Sequence, residues 1–343
     1  MLARTLSAVF AVWLTVAAAP RSFAQIWEAA ADYSSVANPN GAWSYGWTPL
    51  AGGPLTLFTN YGPFCGGVSG WRLTGPGVFN LPLVGKNHAA STLCCTTVRM
   101  PPGRIIMHPG FSGQKAILRW TAPASGSYYV SAAVGGLDFS FPTNSDFALR
   151  LNGVDLLATP VSTFDGPSDC ATATSYVTPH VYAALLTLVA GDVVDAVVGY
   201  GTNLAFNGDS TLVDLSIVAA GVTAVLGTSC NDPSALNANT PVLGQPLTMA
   251  LSGAPPAVSG VVFMSVPGAV PLVLAPGCLV YLDLPTIYPL LDVFTDAAGN
   301  WSYVFPLPLN PTLSGFRAVF QGLLAPTPTP AGYVVTNGLD ITL

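Results

Sequence analysis

The sequence predicts an all-β protein built from short antiparallel strands. The chain of 343 residues contains one Glu (Glu28) and two Lys (Lys86 and Lys115), so the charged residues that favour helices are nearly absent. Short runs of Val, Thr and aromatic residues recur between turns rich in Gly, Pro and Asn, and the chain holds 35 Gly and 31 Pro. Runs of this kind, bounded by turn residues, are typical of strands.

The first segment has the features of an export signal. Arg4 precedes an apolar run over residues 6–19 that is too short to span a bilayer, and Ser22-Phe23-Ala24 supplies the small residues of a cleavage site. We expect residues 1–24 to be removed and the mature chain to be secreted or held at the cell surface. No later apolar run is long enough for a membrane span, and residues 339–343 look like a strand, so neither a membrane anchor nor a sorting tail is predicted.

Charge is scarce throughout the chain. Charged residues make up 8% of the sequence, against about 25% in an average soluble protein. A net charge of −6 with only ten Lys and Arg argues against nucleic acid or an anionic membrane surface as a partner. Six cysteines in an exported chain, without a C-x-x-C or Cys/His ligand spacing, indicate disulfides and not a metal cluster.

Residues 25–222 read as one domain of short strands and long loops. Ala116, Leu118 and Trp120 alternate along one strand and place their side chains on one face, while Arg119 points to the other. A second apolar alternation, over residues 147–151, ends at Asn152-Gly153, and another begins on its far side. An Asn-Gly pair between two alternating runs is a strong hairpin signal.

An aromatic stretch near the start of this domain draws attention. Trp43, Tyr45 and Trp47 follow an Asn-Gly turn at alternate positions, so all three rings share one face of a strand. Such a stripe is either part of a hydrophobic core or an exposed platform on which a sugar ring can stack. Trp71, in the same aromatic-rich segment, and His108 are further candidates for that platform. The alternative for His108 is a turn residue bonded to the backbone.

The second half, residues 223–343, reads as a smaller domain. Short apolar segments separated by turn residues predict seven or eight strands at the spacing of an immunoglobulin-like sandwich. Cys230 and Cys278 are its only cysteines, so they should pair with each other. In the first domain Cys94 and Cys95 are adjacent and point to opposite faces of a strand; we expect one to pair with Cys65 and the other with Cys170.

Both halves resemble known exported proteins. The segments NPNGAWSYGW, MHPG, RWTAPASGSYYV, LNGVDLL, LVAGDVVDAVVG and GDSTLVDLSI occur in this order in bacterial jelly-roll β-sandwich domains that are similar to carbohydrate-binding modules. Such domains are found in PEP-CTERM-type surface proteins. The second half is similar to C-terminal Ig-like domains of secreted surface proteins, through residues 227–230, 277–281 and 295–301. The resemblance implies a jelly-roll-like sandwich, a smaller Ig-like sandwich and a glycan-binding role, and it supplies no catalytic residue.

The resemblance also implies a candidate calcium site. Jelly-roll binding modules often hold a structural calcium where the first and last strands meet. Glu28 opens the first strand here, Asp214 lies on the last, and Asp209 lies in the loop before it. Carboxylates are the hard oxygen ligands that Ca²⁺ prefers, although their spacing is not that of a continuous motif, and Asp214 is equally explained as a solvated sheet residue.

Signatures of catalysis are mostly missing. No G-x-S-x-G nucleophile motif is present, and an H-E-x-x-H zinc motif is impossible with Glu28 as the only Glu. A polysaccharide hydrolase using a pair of Asp carboxylates stays open, because the chain has fifteen Asp, although most of them occupy turn positions. The favoured interpretation is a non-catalytic extracellular protein that binds a glycan or another surface component. The alternatives are that hydrolase and a purely structural surface-layer component.

Overall fold

The computed structural model describes residues 25–49, 53–65, 67–140, 143–170 and 175–343. Regular structure in these ranges is almost entirely strand, and the helical turns are two short 3₁₀ segments, Leu284–Thr286 and Pro311–Leu313. The all-β prediction is therefore confirmed. The expected signal segment, residues 1–24, lies outside the described residues. Within the described ranges, no helix is long and apolar enough to cross a membrane.

The strands between residues 26 and 219 form the unit called here the first sandwich. In chain order they are β1 (Ile26–Glu28), β2 (Trp43–Thr48), β3 (Thr56–Leu57), β4 (Asn60–Pro63), β5 (Ser69–Arg72), β6 (Leu83–Lys86), β7 (Leu93–Cys95), β8 (Val98–Met100), β9 (Ile105–His108), β10 (Lys115–Thr121), β11 (Gly126–Gly136), β12 (Ser145–Leu151), β13 (Val154–Val161), β14 (His180–Leu188), β15 (Val193–Gly199) and β16 (Thr211–Ala219).

Two antiparallel sheets make up the first sandwich. One has the order β14-β11-β16-β9-β6-β5-β4, with β1 paired to β16, and the other has the order β13-β12-β15-β10-β2-β3. Strands β7 and β8 form a separate small hairpin. Neighbours in the sheets are mostly distant in sequence, so the chain crosses between the two sheets repeatedly, as it does in sandwiches with Greek-key connections.

The predicted strand patterns are present in the structure. Ala116, Leu118 and Trp120 of β10 are fully buried between the sheets, whereas Arg119 lies on the outer face. Asn152 (φ 50°) and Gly153 (φ 84°) form the two-residue turn that joins β12 to β13. Both central residues have positive φ, as a type I′ hairpin turn requires, so the hairpin prediction is confirmed.

The aromatic stretch of β2 lies in the core. Trp43 and Tyr45 are 1% and 0% exposed, and they face Trp120 and Leu118 of the neighbouring strand. Trp47 is half-buried and packs against the same core. A ring without exposed faces cannot stack on a sugar, so the structure favours the core interpretation, and the exposed-platform interpretation is wrong for Trp43 and Tyr45.

All three disulfides follow the predicted pairing. Cys65 is bonded to Cys95, and Cys94 to Cys170, because the adjacent cysteines of β7 point in opposite directions. Cys230 and Cys278 form the third bond. The first two bonds attach the segments around residues 65 and 170 to the same short hairpin.

A second group of strands covers residues 222–342 and is called here the second sandwich. Its strands are β17 (Val222–Leu226), β18 (Ala235–Ala238), β19 (Pro246–Ser252), β20 (Ser259–Ser265), β21 (Pro267–Ala275), β22 (Cys278–Leu282), β23 (Tyr288–Phe294), β24 (Trp301–Pro306), β25 (Arg317–Leu324) and β26 (Val334–Thr342). A five-stranded sheet, β17-β26-β25-β20-β23, and a three-stranded sheet, β18-β19-β24, enclose one hydrophobic core. Val218 of β16 belongs to this core, so the two sandwiches are in contact.

Replacing Trp43 by Ala tests its place in the core. Removing a buried indole leaves a cavity, and we expect the free energy of unfolding to fall by about 3–5 kcal/mol. Urea denaturation of the oxidised protein measures this change. Phe79→Ala is the control, since Phe79 is 63% exposed and its loss should change stability little. A cost below about 1 kcal/mol for Trp43→Ala would contradict the core assignment.

A candidate binding site at one end of the first sandwich

Three long connections meet at one end of the first sandwich. The register pairs Leu83, which begins β6, with His108, which ends β9. It also pairs Thr211, which begins β16, with Met107. The loops 73–82, 109–114 and 200–210 therefore leave the sheets at the same end.

Each of these loops contributes a phenylalanine to one cluster, called here the Phe cluster. The ring centroids of Phe79 and Phe111 are 5.4 Å apart, those of Phe111 and Phe206 are 5.1 Å apart, and Phe79 lies nearly parallel to Phe206 at 6.1 Å. Phe79 is 63% exposed and Phe111 is 49% exposed, while Phe206 is half-buried beneath them. Exposed groups of apolar side chains are a common feature of binding surfaces, so the Phe cluster is the candidate site.

The backbone of the loops holds these rings outward. Phe79 and Asn80 both have positive φ, 52° and 58°, a conformation that costs a bulky residue about 1–3 kcal/mol. The amide of Leu81 donates to the carbonyl of Val78 at 2.8 Å and closes the turn around them. In the next loop, the amide of Gly113 donates to the carbonyl of Gly110 at 3.0 Å, so Phe111 lies at the tip of a tight turn. Strain retained at an exposed aromatic residue points to a functional role.

His108 forms the base of the Phe cluster. It is buried, its ring lies 6.3 Å from that of Phe206 and 6.2 Å from that of Phe64, and its Nδ1 is 2.8 Å from the carbonyl oxygen of Pro109. Burial lowers the pKa of His108 to about 4, so the ring is neutral at pH 7 and Nδ1–H donates to that carbonyl. The backbone bond expected of a turn histidine is present, and His108 supports the cluster from below.

Asp209 lies in the same loop as Phe206 and is fully buried. One carboxyl oxygen accepts a hydrogen bond from the backbone N–H of Asn144 at 3.2 Å. The other oxygen has no hydrogen-bond partner among the described residues. Burial is the main cause that raises the pKa of Asp209 to about 8, and the charges of Asp146 and Asp138 raise it further. Asp209 is therefore mainly protonated and uncharged at pH 7.

The candidate calcium ligands do not converge. Glu28 and Asp214 border one shallow depression, but Asp214 is held by the guanidinium of Arg104 at 3.2 Å, which supplies the neighbouring positive charge. Asp209 is five residues before Asp214, or about 16 Å along an extended chain. Within the ranges that the structure describes, no group of three or more His, Cys, Asp or Glu could hold a metal ion. The calcium hypothesis on these three residues is not supported.

The other aromatic candidates lie away from this end or under the surface. Trp71 is 7% exposed, donates its Nε1–H to the carbonyl of Ser34 at 2.7 Å and stacks on Tyr45. Of the residues predicted for a platform, His108 alone touches the Phe cluster. Sequence periodicity missed the three phenylalanines because they lie in loops. The available signal was a single Phe between turn residues, as in Gly110-Phe111-Ser112-Gly113.

Among the described residues, the outer face of the sheet β13-β12-β15-β10-β2-β3 offers no pair of free carboxylates. Three Asp–basic pairs cross it: Arg119 with Asp195 at 2.7 Å, Arg150 with Asp155 at 2.6 Å, and Lys115 with Asp146 at 3.6 Å. A glycosidase needs one carboxyl that stays protonated and an opposed one that is free to act as nucleophile or base. Carboxylates held by cations do not meet that need, so this face does not favour the hydrolase interpretation.

Two larger depressions lie elsewhere on the molecule. One of about 520 Å³ lies where the sandwiches meet, beside the ion pair of Arg317 and Asp340. The other, of about 600 Å³, lies at the opposite end of the first sandwich, where Asp32 already accepts the Nε1–H of Trp43 at 3.0 Å. In both, the charged groups are bonded within the protein, and neither contains a group of exposed aromatic rings.

Comparisons with known proteins do not assign the chain to a family. No family model matches the chain, and no curated protein does. A xanthan lyase from Paenibacillus aligns over 80% of this chain and 27% of its own length, with 9% identity and a TM-score of 0.31. A GH2 β-galacturonidase from Eisenbergiella tayi bound to galacturonate aligns over 66% of this chain and 35% of its own length, with 8% identity and a TM-score of 0.17. These TM-scores are too low to support a functional argument.

The buried carboxyl of Asp209 predicts a dependence of stability on pH. Its pKa is about 8 in the folded protein and about 4 when exposed, so between these values the folded state holds a proton that the unfolded state has lost. Asp209 therefore lowers the free energy of unfolding as the pH rises, by at most about 1.4 kcal/mol per pH unit. His108, whose pKa is about 4 in the folded protein and about 6.5 when exposed, raises it up to about pH 6.5, so a net fall is expected above that pH. Urea denaturation between pH 6.5 and 8 measures the slope.

Asp209→Asn should remove most of this slope, because an amide does not titrate. Asp292→Asn is the matched control, since Asp292 is exposed on β23 of the second sandwich. An unchanged slope in Asp209→Asn would show that another group causes the dependence.

Proposed function

We propose that the protein is a non-catalytic extracellular binding protein whose first sandwich holds a glycan at the Phe cluster. The observation that carries the proposal is the convergence of Phe79, Phe111 and Phe206 from three loops. The rings of Phe79 and Phe111 are exposed at one end of the first sandwich, and the half-buried Phe206 contacts a buried neutral histidine. Three disulfides are in keeping with an oxidising, extracellular environment.

Aromatic rings suit the apolar faces of sugars. The C–H groups on one side of a pyranose ring pack against an aromatic face, and the polar edges of the sugar remain in water or bond to nearby amides and hydroxyls. Asn80, Asn203 and Asn207 lie in the same loops and carry such amides. A site of this kind sits on loops held by a rigid scaffold, as binding sites usually do.

The second sandwich, in this proposal, is an Ig-like module that spaces or docks the first. Its five-stranded and three-stranded sheets around one core are in keeping with that architecture. Val218, near the end of β16 in the first sandwich, packs into the core of the second sandwich and so joins the two units. We propose that residues 25–222 and 223–343 act as separate domains, and that any attachment to a cell surface, as in PEP-CTERM-type proteins, goes through the second.

Alanine variants of the two exposed rings test the site. Phe79→Ala and Phe111→Ala should each weaken binding of a glycan found on an array by about 1–2 kcal/mol, or roughly 5- to 30-fold. The melting temperature should stay nearly constant because both rings are exposed. Isothermal titration calorimetry measures the affinity.

Phe294→Ala is the matched control, because Phe294 is 65% exposed but lies on β23 of the second sandwich. Equal binding by wild type and both cluster variants would contradict the site. The absence of any glycan ligand on the array would contradict the proposed function itself.

A further inference from the structure

We propose, beyond the binding function, that two copies of this chain associate through strand β14, His180–Leu188, which pairs antiparallel with β14 of a second copy. The two copies of the eight-stranded sheet would then form one continuous sheet. The proposal starts from β14 as an edge strand: among the strands that the structure describes, it is the last of its sheet and pairs only with β11. One row of its backbone N–H and C=O groups is therefore left without a neighbouring strand.

Natural proteins usually protect such edges with short strands, prolines, charges or bulges. The other edge strands that the described residues form in the larger sheets either are shorter than β14 or have such features. Strands β1, β3, β17 and β18 have 3, 2, 5 and 4 residues. Strands β4, β13, β23 and β24 each contain a proline: Pro63, Pro160, Pro289 and Pro306. Strands β13 and β23 also contain an Asp and lie beside a shift in register.

Strand β14 has none of these features. It is 9 residues long and contains no proline and no Asp, Glu, Lys or Arg. Its register with β11 runs without a shift from Gly126↔Leu188 to Val134↔His180, so the strand is regular along its length. A long, regular, uncharged edge is the kind that pairs with another strand.

The outward face of β14 is apolar at alternate positions. Val181 is 67% exposed and Leu185 is 45% exposed, and Ala183 and Thr187 are exposed between and beyond them. Tyr182 and Leu186 alternate with these and pack against the core. The neighbouring outward positions on β11 carry no charge either, being Ser127, Tyr129, Ser131 and Ala133. The charged side chains that border this face, Glu28, Arg104 and Asp214, lie on the far side of β11 from β14, where Arg104 and Asp214 pair with each other.

The spacing of these residues fits a second copy of the same strand. A two-fold axis at Ala184 places Ala183 opposite Leu185 of the second copy, where a larger side chain meets a smaller one. It also places Val181 opposite Thr187 of the second copy, and these are β-branched side chains of similar size. The inward residues remain inward in both copies, since this register keeps the alternation in phase. Such a two-fold pairing is closed and ends at a dimer.

Sedimentation analysis of the mature, disulfide-bonded protein over a range of concentrations tests the proposal. Wild type should dimerise. Leu185→Lys and Ala183→Glu, which place a charge on the shared face, should each raise the dissociation constant at least about tenfold. Both positions are exposed, so the melting temperature should not change at concentrations where wild type is also monomeric. Val154→Lys is the control: Val154 is 69% exposed on β13, the edge strand of the other sheet, and this variant should still dimerise.

Mixing the two charged variants tests the register itself. In a mixed dimer, the new Glu at 183 faces the new Lys at 185 across the axis at Ala184, so mixing should restore association. A wild type that stays monomeric at every concentration would overturn the proposal. A dimer that survives both substitutions, or a mixture that remains monomeric, would overturn it as well. Glycan binding measured on the same variants should be unchanged, which separates this result from the proposed function.

Discussion

Contact between aromatic side chains of the two sheets holds the first sandwich together. Trp27 and Tyr128 come from one sheet and Trp120 from the other, and Trp120 meets each of them edge to face at 5.3 and 5.2 Å. Large rings bury much apolar surface and add a directional preference of about 0.5–1.5 kcal/mol for each pair. This packing holds the two sheets against each other. Loops 109–114 and 200–210 each connect one sheet to the other, so the place where they meet depends on it.

Two buried side chains, His108 and Asp209, make contacts with the loops of the candidate site. His108 is neutral and packs against Phe206. Asp209 lies in the same loop as Phe206 and accepts a hydrogen bond from the backbone N–H of Asn144. Both depend on burial, which moves the pKa of His108 down and that of Asp209 up, so that neither carries a charge at pH 7. The loop is therefore stabilised without charge, in keeping with a chain that has few charged residues. Binding energy at the exposed rings then need not be used to order the loop.

The sequence predicted those features that depend on local patterns. Alternation identified the buried face of β10, and the Asn152-Gly153 pair identified a hairpin. The opposite directions of Cys94 and Cys95 predicted that they bond to different partners, Cys65 and Cys170, and only the structure shows which bonds to which. The candidate site depends on which loops lie next to each other. The order of the strands in the sheets determines this, and local sequence patterns do not reveal that order. The stripe of Trp43 and Tyr45 has the same period whether it faces a second sheet or solvent. Phe79 and Phe111 have no period at all, so only the fold brings them together.

Hydrogen exchange of the oxidised chain, with and without a glycan that it binds, is the most direct test of the central claim that the Phe cluster is the binding site. The account predicts slower amide exchange in peptides that cover residues 73–82, 109–114 and 200–210. Exchange over the outer face of β10, β12 and β15 should not change. Protection confined to that face or to the second sandwich, with the three loops unaffected, would contradict the account.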